Sequence, residues 1–365
     1  MCPGTGHRIC NDCMKSCIFQ KQEPVNIPQI ETRVLVDTLD LPYGPELYLL
    51  LTRFNPLNAN RPYPLPYNGK NILVVGMGPA GYTLAHYLSQ EGFGIAAMDG
   101  LKVEPLAKEH TDPIHSYRTI TDDLEERRLL GFGGVSEYGI TVRWDKNFLT
   151  LPYLSLERRE QFQLHGGTRF GGTVTVEDAW DLGFDHIAIA TGAGKPTVVS
   201  MKNNLARGIR KASDFLMALQ LTGAFKKDAM ANLQLRLPAI VIGGGLTGVD
   251  TATEAIAYYP VQVEKVVGRD EERGVLDEFV EHGRIVVAER ARAVQAGEEP
   301  NFVPLVDQWG GVKLAYRKSM RDAPAYRLNH EEIIKALEEG LVFVEHMSPV
   351  EAQLDKYGAV QALDF

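Results

Sequence analysis

Beyond Cys17 the sequence contains no cysteine; all four of its cysteines, Cys2, Cys10, Cys13 and Cys17, fall at the N-terminus. Thiol–disulfide exchange needs thiols at the reacting group, so everything after Cys17 is excluded from that chemistry. Long apolar runs are also missing: no stretch reaches the roughly 20 residues that a bilayer-crossing helix needs. The N-terminus lacks the apolar core of a signal peptide, which makes the cytoplasm the expected location. Positive charge is in deficit, with 38 Lys and Arg against 47 Asp and Glu and a formal charge of −9. A net acid is not drawn to phosphate-rich surfaces, which argues against nucleic acid or anionic lipid as the main partner. There is no internal repeat at solenoid periods and no low-complexity segment.

What is present is an ordinary globular composition: 365 residues, 44% hydrophobic, enough for two or three packed domains. The most informative stretch is Asn71-Ile-Leu-Val-Val-Gly76-Met-Gly78-Pro79-Ala80-Gly81-Tyr-Thr-Leu84-Ala85-His-Tyr-Leu88. A short β-branched run precedes the glycines, and apolar residues recur at helical spacing after them. In a dinucleotide fold Gly76 makes the tight turn, Gly78 admits a pyrophosphate, and Gly81 lets the helix pack close to the strand. The unpaired N–H groups and dipole of the helix N-terminus favour phosphate there. A second apolar run, Gly94 to Met98, ends at Asp99, placed to accept hydrogen bonds from a ribose.

The same pattern recurs at Ala239-Ile-Val-Ile242-Gly243-Gly244-Gly245-Leu-Thr247-Gly248-Val-Asp250. Two such units imply two nucleotide sites, one for a flavin and one for a nicotinamide. Between them, His186-Ile-Ala-Ile-Ala190 leads into Thr191 and Gly192, an Ala-Thr-Gly exit of the kind found where a chain leaves a first nucleotide domain. A glycine-dense stretch at Gly131 to Gly139 and Ile140 reads either as backbone lying against something flat or as a solvent loop.

The residue reading the second ribose falls, by simple spacing, between Glu264 and Arg269. A charged, helix-like stretch follows it, and a later strand candidate, Gly311 to Tyr316, runs into Arg317 and Lys318. Guanidinium and ammonium groups at such a strand end suit an NADP 2′-phosphate; a solvated basic turn is the alternative. At the N-terminus, Cys10-x2-Cys13-x3-Cys17 is dense enough for an iron–sulfur cluster. Zinc, with His7 as a further ligand, competes for the same thiolates. Pro24 to Glu31 leads into a helix-like run, and the proline-rich segment Leu41 to Asn68 reads as an extended linker.

Assembled, these residues resemble the small subunit of bacterial glutamate synthase and the related flavin arm of dihydropyrimidine dehydrogenase. The likeness is carried by Gly6-His-Arg-Ile-Cys10, Cys13-Met-Lys-Ser-Cys17 and Pro24-Val-Asn-Ile27 with Ile30-Glu31, then by Tyr138-Gly139-Ile140 with Arg143. It continues in the Gly243 fingerprint, Tyr316-Arg317-Lys318, Ala323-Pro324-Ala325 and Ala336-Leu-Glu-Glu339-Gly340-Leu-Val-Phe343. The resemblance implies an α/β fold: two Rossmann-like domains preceded by a small helical Cys-rich iron–sulfur domain. It divides the chain at 1–68, 69–200 and 201–365, with an insertion at about 261–310, and selects Arg317 over Glu264 to Arg269 as the 2′-reading position.

The implied activity is hydride transfer from NADPH to FAD, with electrons passing through a 4Fe-4S cluster at Cys2, Cys10, Cys13 and Cys17 to a partner subunit or domain. No side chain is implied as an acid–base catalyst. Two departures accompany the likeness. The family's earlier cysteine group has no counterpart, so either Cys2 stands in for a ligand or the start of the chain is lost; at most one cluster is expected, with Glu31 near the position of a second. Nothing after Phe343 resembles the segment that returns to the flavin domain, so that domain is expected to lack its last strand and helix. A non-catalytic assembly module is therefore the second reading. A disulfide reductase is disfavoured by the missing thiols.

Overall fold

A computed structural model describes residues 12–100, 110, 112–121, 146–192, 195–267 and 277–365. They fall into two compact units, divided between residues 192 and 195.

The first unit is built on a four-stranded parallel sheet. Its strands are β1 (Asn71–Val75), β2 (Gly94–Met98), β3 (Phe162–His165) and β4 (His186–Ile189), in the order β3-β2-β1-β4. The β-branched run of β1 is buried from Ile72 to Val75 because both faces of the sheet are covered. Side chains alternate between the faces. Ile72, Val74, Ile95 and Ala97 share one core cluster with Tyr82, Ala85 and Leu156, whereas Leu73, Val75 and Met98 pack with Ala179.

Helices precede this sheet and connect its strands. Asp12–Lys15 is a single turn, α1; α2 is Ile27–Leu39, started by an Asn26 side chain that accepts from the Gln29 N–H; α3 is Gly44–Arg53; α4 is Pro79–Gln90. The linker expected over Leu41 to Asn68 is therefore interrupted by a helix. Pro45 stands in the first turn of α3, where its missing N–H costs nothing, and Leu49 packs with Ile114, Ile120 and Leu154. Leu154 belongs to helix α5 (Thr150–Glu157), which packs against α3 through this cluster. The Arg158 guanidinium donates to both Glu46 carboxylate oxygens at 2.9 and 2.8 Å and to the His110 carbonyl. Val176–Asp181 forms α6, with a capping box between Thr175 and Asp178.

The second unit contains a three-stranded parallel sheet, β5 (Ala239–Ile242), β6 (Val312–Ala315) and β7 (Val342–Val344), in that order. An antiparallel hairpin of β8 (Glu351–Leu354) and β9 (Val360–Asp364) follows. Its helices are α7 (Ala212–Thr222), α8 (Leu246–Val267), α9 (Asp277–Ala296), α10 (Val303–Gln308) and α11 (Pro324–Glu338). The residues after the second fingerprint that could have begun a strand, Val261 to Val267, are the last turns of α8. Gly283 lets α9 lie against them: a Cβ there would stand 2.3 Å from the Val263 carbonyl oxygen. Arg290 pairs with Glu264 across the same contact at 2.9 Å. The next strand after β5 in the sheet is thus β6, as the strand candidate ending at Tyr316 anticipated. No helix among the described residues is long and apolar enough to cross a membrane.

Candidate functional site

The first glycine turn occupies the place where strand order reverses. Strand β1 lies between β2 and β4, so the crevice beyond its carboxyl end is the topological switch point at which open α/β sheets bind ligands. Gly76 turns there with φ +98°, and a Cβ on it would stand 2.5 Å from the Ala190 carbonyl oxygen. This contact brings Thr191 and Gly192, the continuation of β4, to the same crevice. Gly81 is tighter still: its Cβ would stand 1.9 Å from the Gly76 carbonyl oxygen, so the helix can follow the turn only without a side chain.

Gly78 is the N-cap of α4 and Pro79 its first residue; with no side-chain cap, the first-turn N–H groups, including that of Ala80, have no side-chain acceptor among the described residues. Asp99 reaches the turn from β2. Its Oδ2 accepts from the Met77 N–H at 2.7 Å, and its own backbone is tied to His165 and Thr168. Asp99 therefore stands beside the glycines as the spacing anticipated. Gly139 and Ile140, and Arg143 beyond them, lie outside the described residues. The donors and the carved-out backbone suit a dinucleotide pyrophosphate and ribose.

The second turn repeats the construction in the other unit. Gly243 has φ +139°, and a Cβ on Gly248 would stand 2.8 Å from the Gly243 carbonyl oxygen. Gly244 is pressed against the Tyr316 ring, 2.7 Å from where its Cβ would be, whereas Gly245 faces open space. Thr247 is exposed in the first turn of α8, and Asp250 is buried one turn on. Two supports of this loop come from residues that the family resemblance includes without a stated role. One is the Tyr316 ring; the other is the Ala325 N–H, at the start of α11, which donates to the Gly244 carbonyl at 2.9 Å.

Register places the ends of the three strands side by side: Ile242 pairs with Ala315, and Ala315 with Val344. Arg317 and Lys318 follow β6 at that edge. Both are exposed, and neither has an ion-pair or side-chain hydrogen-bond partner among the described residues. A phosphate is the chemistry such a pair is free to take.

The N-terminal cysteines are a different case. Cys13 is exposed on α1 and Cys17 half-buried just after it; Cys2, Cys10 and His7 lie outside the described residues. Among the described residues no group of three or more His, Cys, Asp or Glu side chains could hold a metal. The expected Cys-rich iron–sulfur domain is therefore not shown.

Comparison with known proteins places these turns in a family. The family model described as pyridine nucleotide-disulphide oxidoreductase matches residues 70–282. The chain is 45% identical over 372 residues to uncharacterized protein RP006 of Rickettsia prowazekii, covering all of this chain and 52% of that protein. It is 24% identical over 196 residues to the glutamate synthase [NADPH] small chain of Bacillus subtilis, 53% of this chain and 34% of that one. It is 28% identical over 239 residues to the NADPH-Fe(3+) oxidoreductase subunit beta of Geobacter sulfurreducens, 59% of this chain and 30% of that one. The chain thus spans about half, or less, of the length of the curated relatives it matches. Both glycine turns lie inside the matched stretch, which holds no cysteine, and the chain belongs to the pyridine nucleotide-disulphide oxidoreductase family as an FAD/NAD(P)-dependent oxidoreductase domain.

Proposed function

We propose that this protein oxidises NADPH, passes its hydride to FAD and delivers the electrons to a partner subunit or domain. The observation that carries this reading is the unpaired Arg317 and Lys318 at the strand end beside the second glycine turn. On this reading NADPH takes the Gly243 turn and FAD the Gly76 turn. The Gly78 to Gly81 backbone would hold the flavin's pyrophosphate and Asp99 its ribose; Gly243 to Gly248 would hold the nicotinamide's pyrophosphate. When bound, the two cofactors supply the hydride chemistry. The chain's own work is binding and orientation. The relatives named as a small chain and a subunit beta support a partner as the destination of the electrons.

Cys2, Cys10, Cys13 and Cys17 are proposed as ligands of an iron–sulfur centre. The described pair, Cys13 and Cys17, supplies too few ligands for a site by itself.

One observation favours a second reading, a non-catalytic assembly module. Strand β4 is paired on one side only, and Ile189 at its end is 72% exposed, so the flavin crevice has an open edge among the described residues.

Purification under anaerobic conditions, with identification of the released flavin and assay of iron, sulfide and zinc, separates the two. Stoichiometric FAD is expected. A colourless protein containing only zinc contradicts the redox reading.

A further inference from the structure

His346 follows β7 in a left-handed conformation, φ 57°, one of three non-glycine residues with positive φ among those described. The conformation has a local purpose. In a regular strand, successive N–H groups point to opposite sides, yet here two consecutive ones turn to the same neighbour. The His346 N–H donates to the Lys318 carbonyl at 3.3 Å and the Met347 N–H to the Tyr316 carbonyl at 2.9 Å. The result is a bulge that binds the exit of β7 to the exit of β6, across the backbone of Arg317. Glycine is the least strained residue for such a position, although histidine tolerates it better than most. Bulges are enriched beside active sites, where they redirect a side chain.

The surrounding charges sharpen the point. Arg317, Lys318 and Arg321 are exposed along this edge of a chain whose net charge is −9. The nearby acids are engaged: Glu345 accepts from the Met320 N–H at 2.5 Å, and Asp322 from the Ser319 hydroxyl at 2.8 Å. His346, itself exposed, is held by its backbone at the same carboxyl edge of the sheet.

We infer that His346 is a specificity-determining residue that reads the 2′-phosphate of NADPH together with Arg317 and Lys318. The inference rests on the assignment of NADPH to the Gly243 turn. It gives a reason for a side chain at a position where glycine would relieve the backbone.

The test is calorimetric binding of 2′,5′-ADP and of 5′-ADP to the full chain, with H346N and H346G. Both replacements tolerate positive φ and remove the imidazole. The expected result is a loss of about three- to fivefold in 2′,5′-ADP affinity, the size of one hydrogen-bonded contact, with 5′-ADP binding unchanged. Equal losses for both ligands would assign His346 to backbone shape alone and overturn the inference. So would unchanged 2′,5′-ADP binding in both variants while Arg317→Ala weakens it; in that case the 2′-phosphate assignment survives. If Arg317→Ala and Lys318→Ala also leave the ligand preference unchanged, the assignment itself fails, and the inference with it.

Discussion

Gly81 has no room for a methyl group, since its Cβ would overlap the carbonyl oxygen of Gly76 at 1.9 Å. Backbone, unlike a flexible side chain, cannot yield without moving the turn. G81A is expected to weaken FAD retention by about tenfold or more, read by flavin content after gel filtration, because overpacking of this kind costs about 1–3 kcal/mol. At Gly244 the clashing group is the Tyr316 ring, which can rotate, so G244A is expected to weaken nicotinamide binding by less than G81A weakens flavin.

Glu157 tests a different physics. Burial pushes its carboxyl up to about 7, and its Oε1 has no hydrogen-bond partner among the described residues. Between the ordinary value and 7 the folded protein keeps a proton that the unfolded chain releases. The contribution to stability is therefore full below about pH 4.5 and is lost as pH rises through 7. E157Q is expected to raise the melting temperature above neutral pH and to match the wild type in acid; a constant gain across the range would disprove the cause.

Gly76, Gly81 and Asp99 were legible from spacing alone, because strand, turn, helix and next strand end follow one another within one βαβ unit. Tyr316 was not: its contact with Gly244 depends on the register of two strands separated by α8, α9 and α10.

At the level of elements, α3 shows how local composition can mislead. Prolines on both sides of Gly44–Arg53 suggest an extended linker, yet Pro45 sits in the first helical turn, which tolerates it. Its anchor is the Glu46–Arg158 pair, which only the folded structure brings together. E46Q keeps the shape and removes the charge, and is expected to cost about 1–3 kcal/mol, read as a lower urea midpoint with an unchanged slope.

The exit of β6 makes the sharper functional prediction. R317A/K318A is expected to raise the dissociation constant for NADPH about tenfold or more, two charge-assisted contacts being lost, while NADH binding stays the same. Here the spacing alone left two positions open, and the family resemblance favoured Arg317. In the structure Val261 to Val267 is helix, and β6 is the strand beside β5.

For the whole molecule, the doubled glycine fingerprint carried the general plan: two parallel α/β sheets, each with a turn at its carboxyl edge, in a family of FAD- and NAD(P)-dependent oxidoreductases. The family's name includes disulphide chemistry, but the matched residues contain no cysteine. That stretch therefore offers no cysteine pair for thiol–disulfide exchange. Whether the N-terminal cysteines hold a metal was not legible, because cysteine spacing reports the number of thiolates and not an ion.

The most direct test of the account is anaerobic rapid mixing of the FAD-loaded protein with NADPH or NADH, following the flavin absorbance. NADPH is expected to bleach the bound flavin in a single fast phase, and NADH far more slowly at the same concentration. Flavin that stays oxidised with both nucleotides would contradict the account.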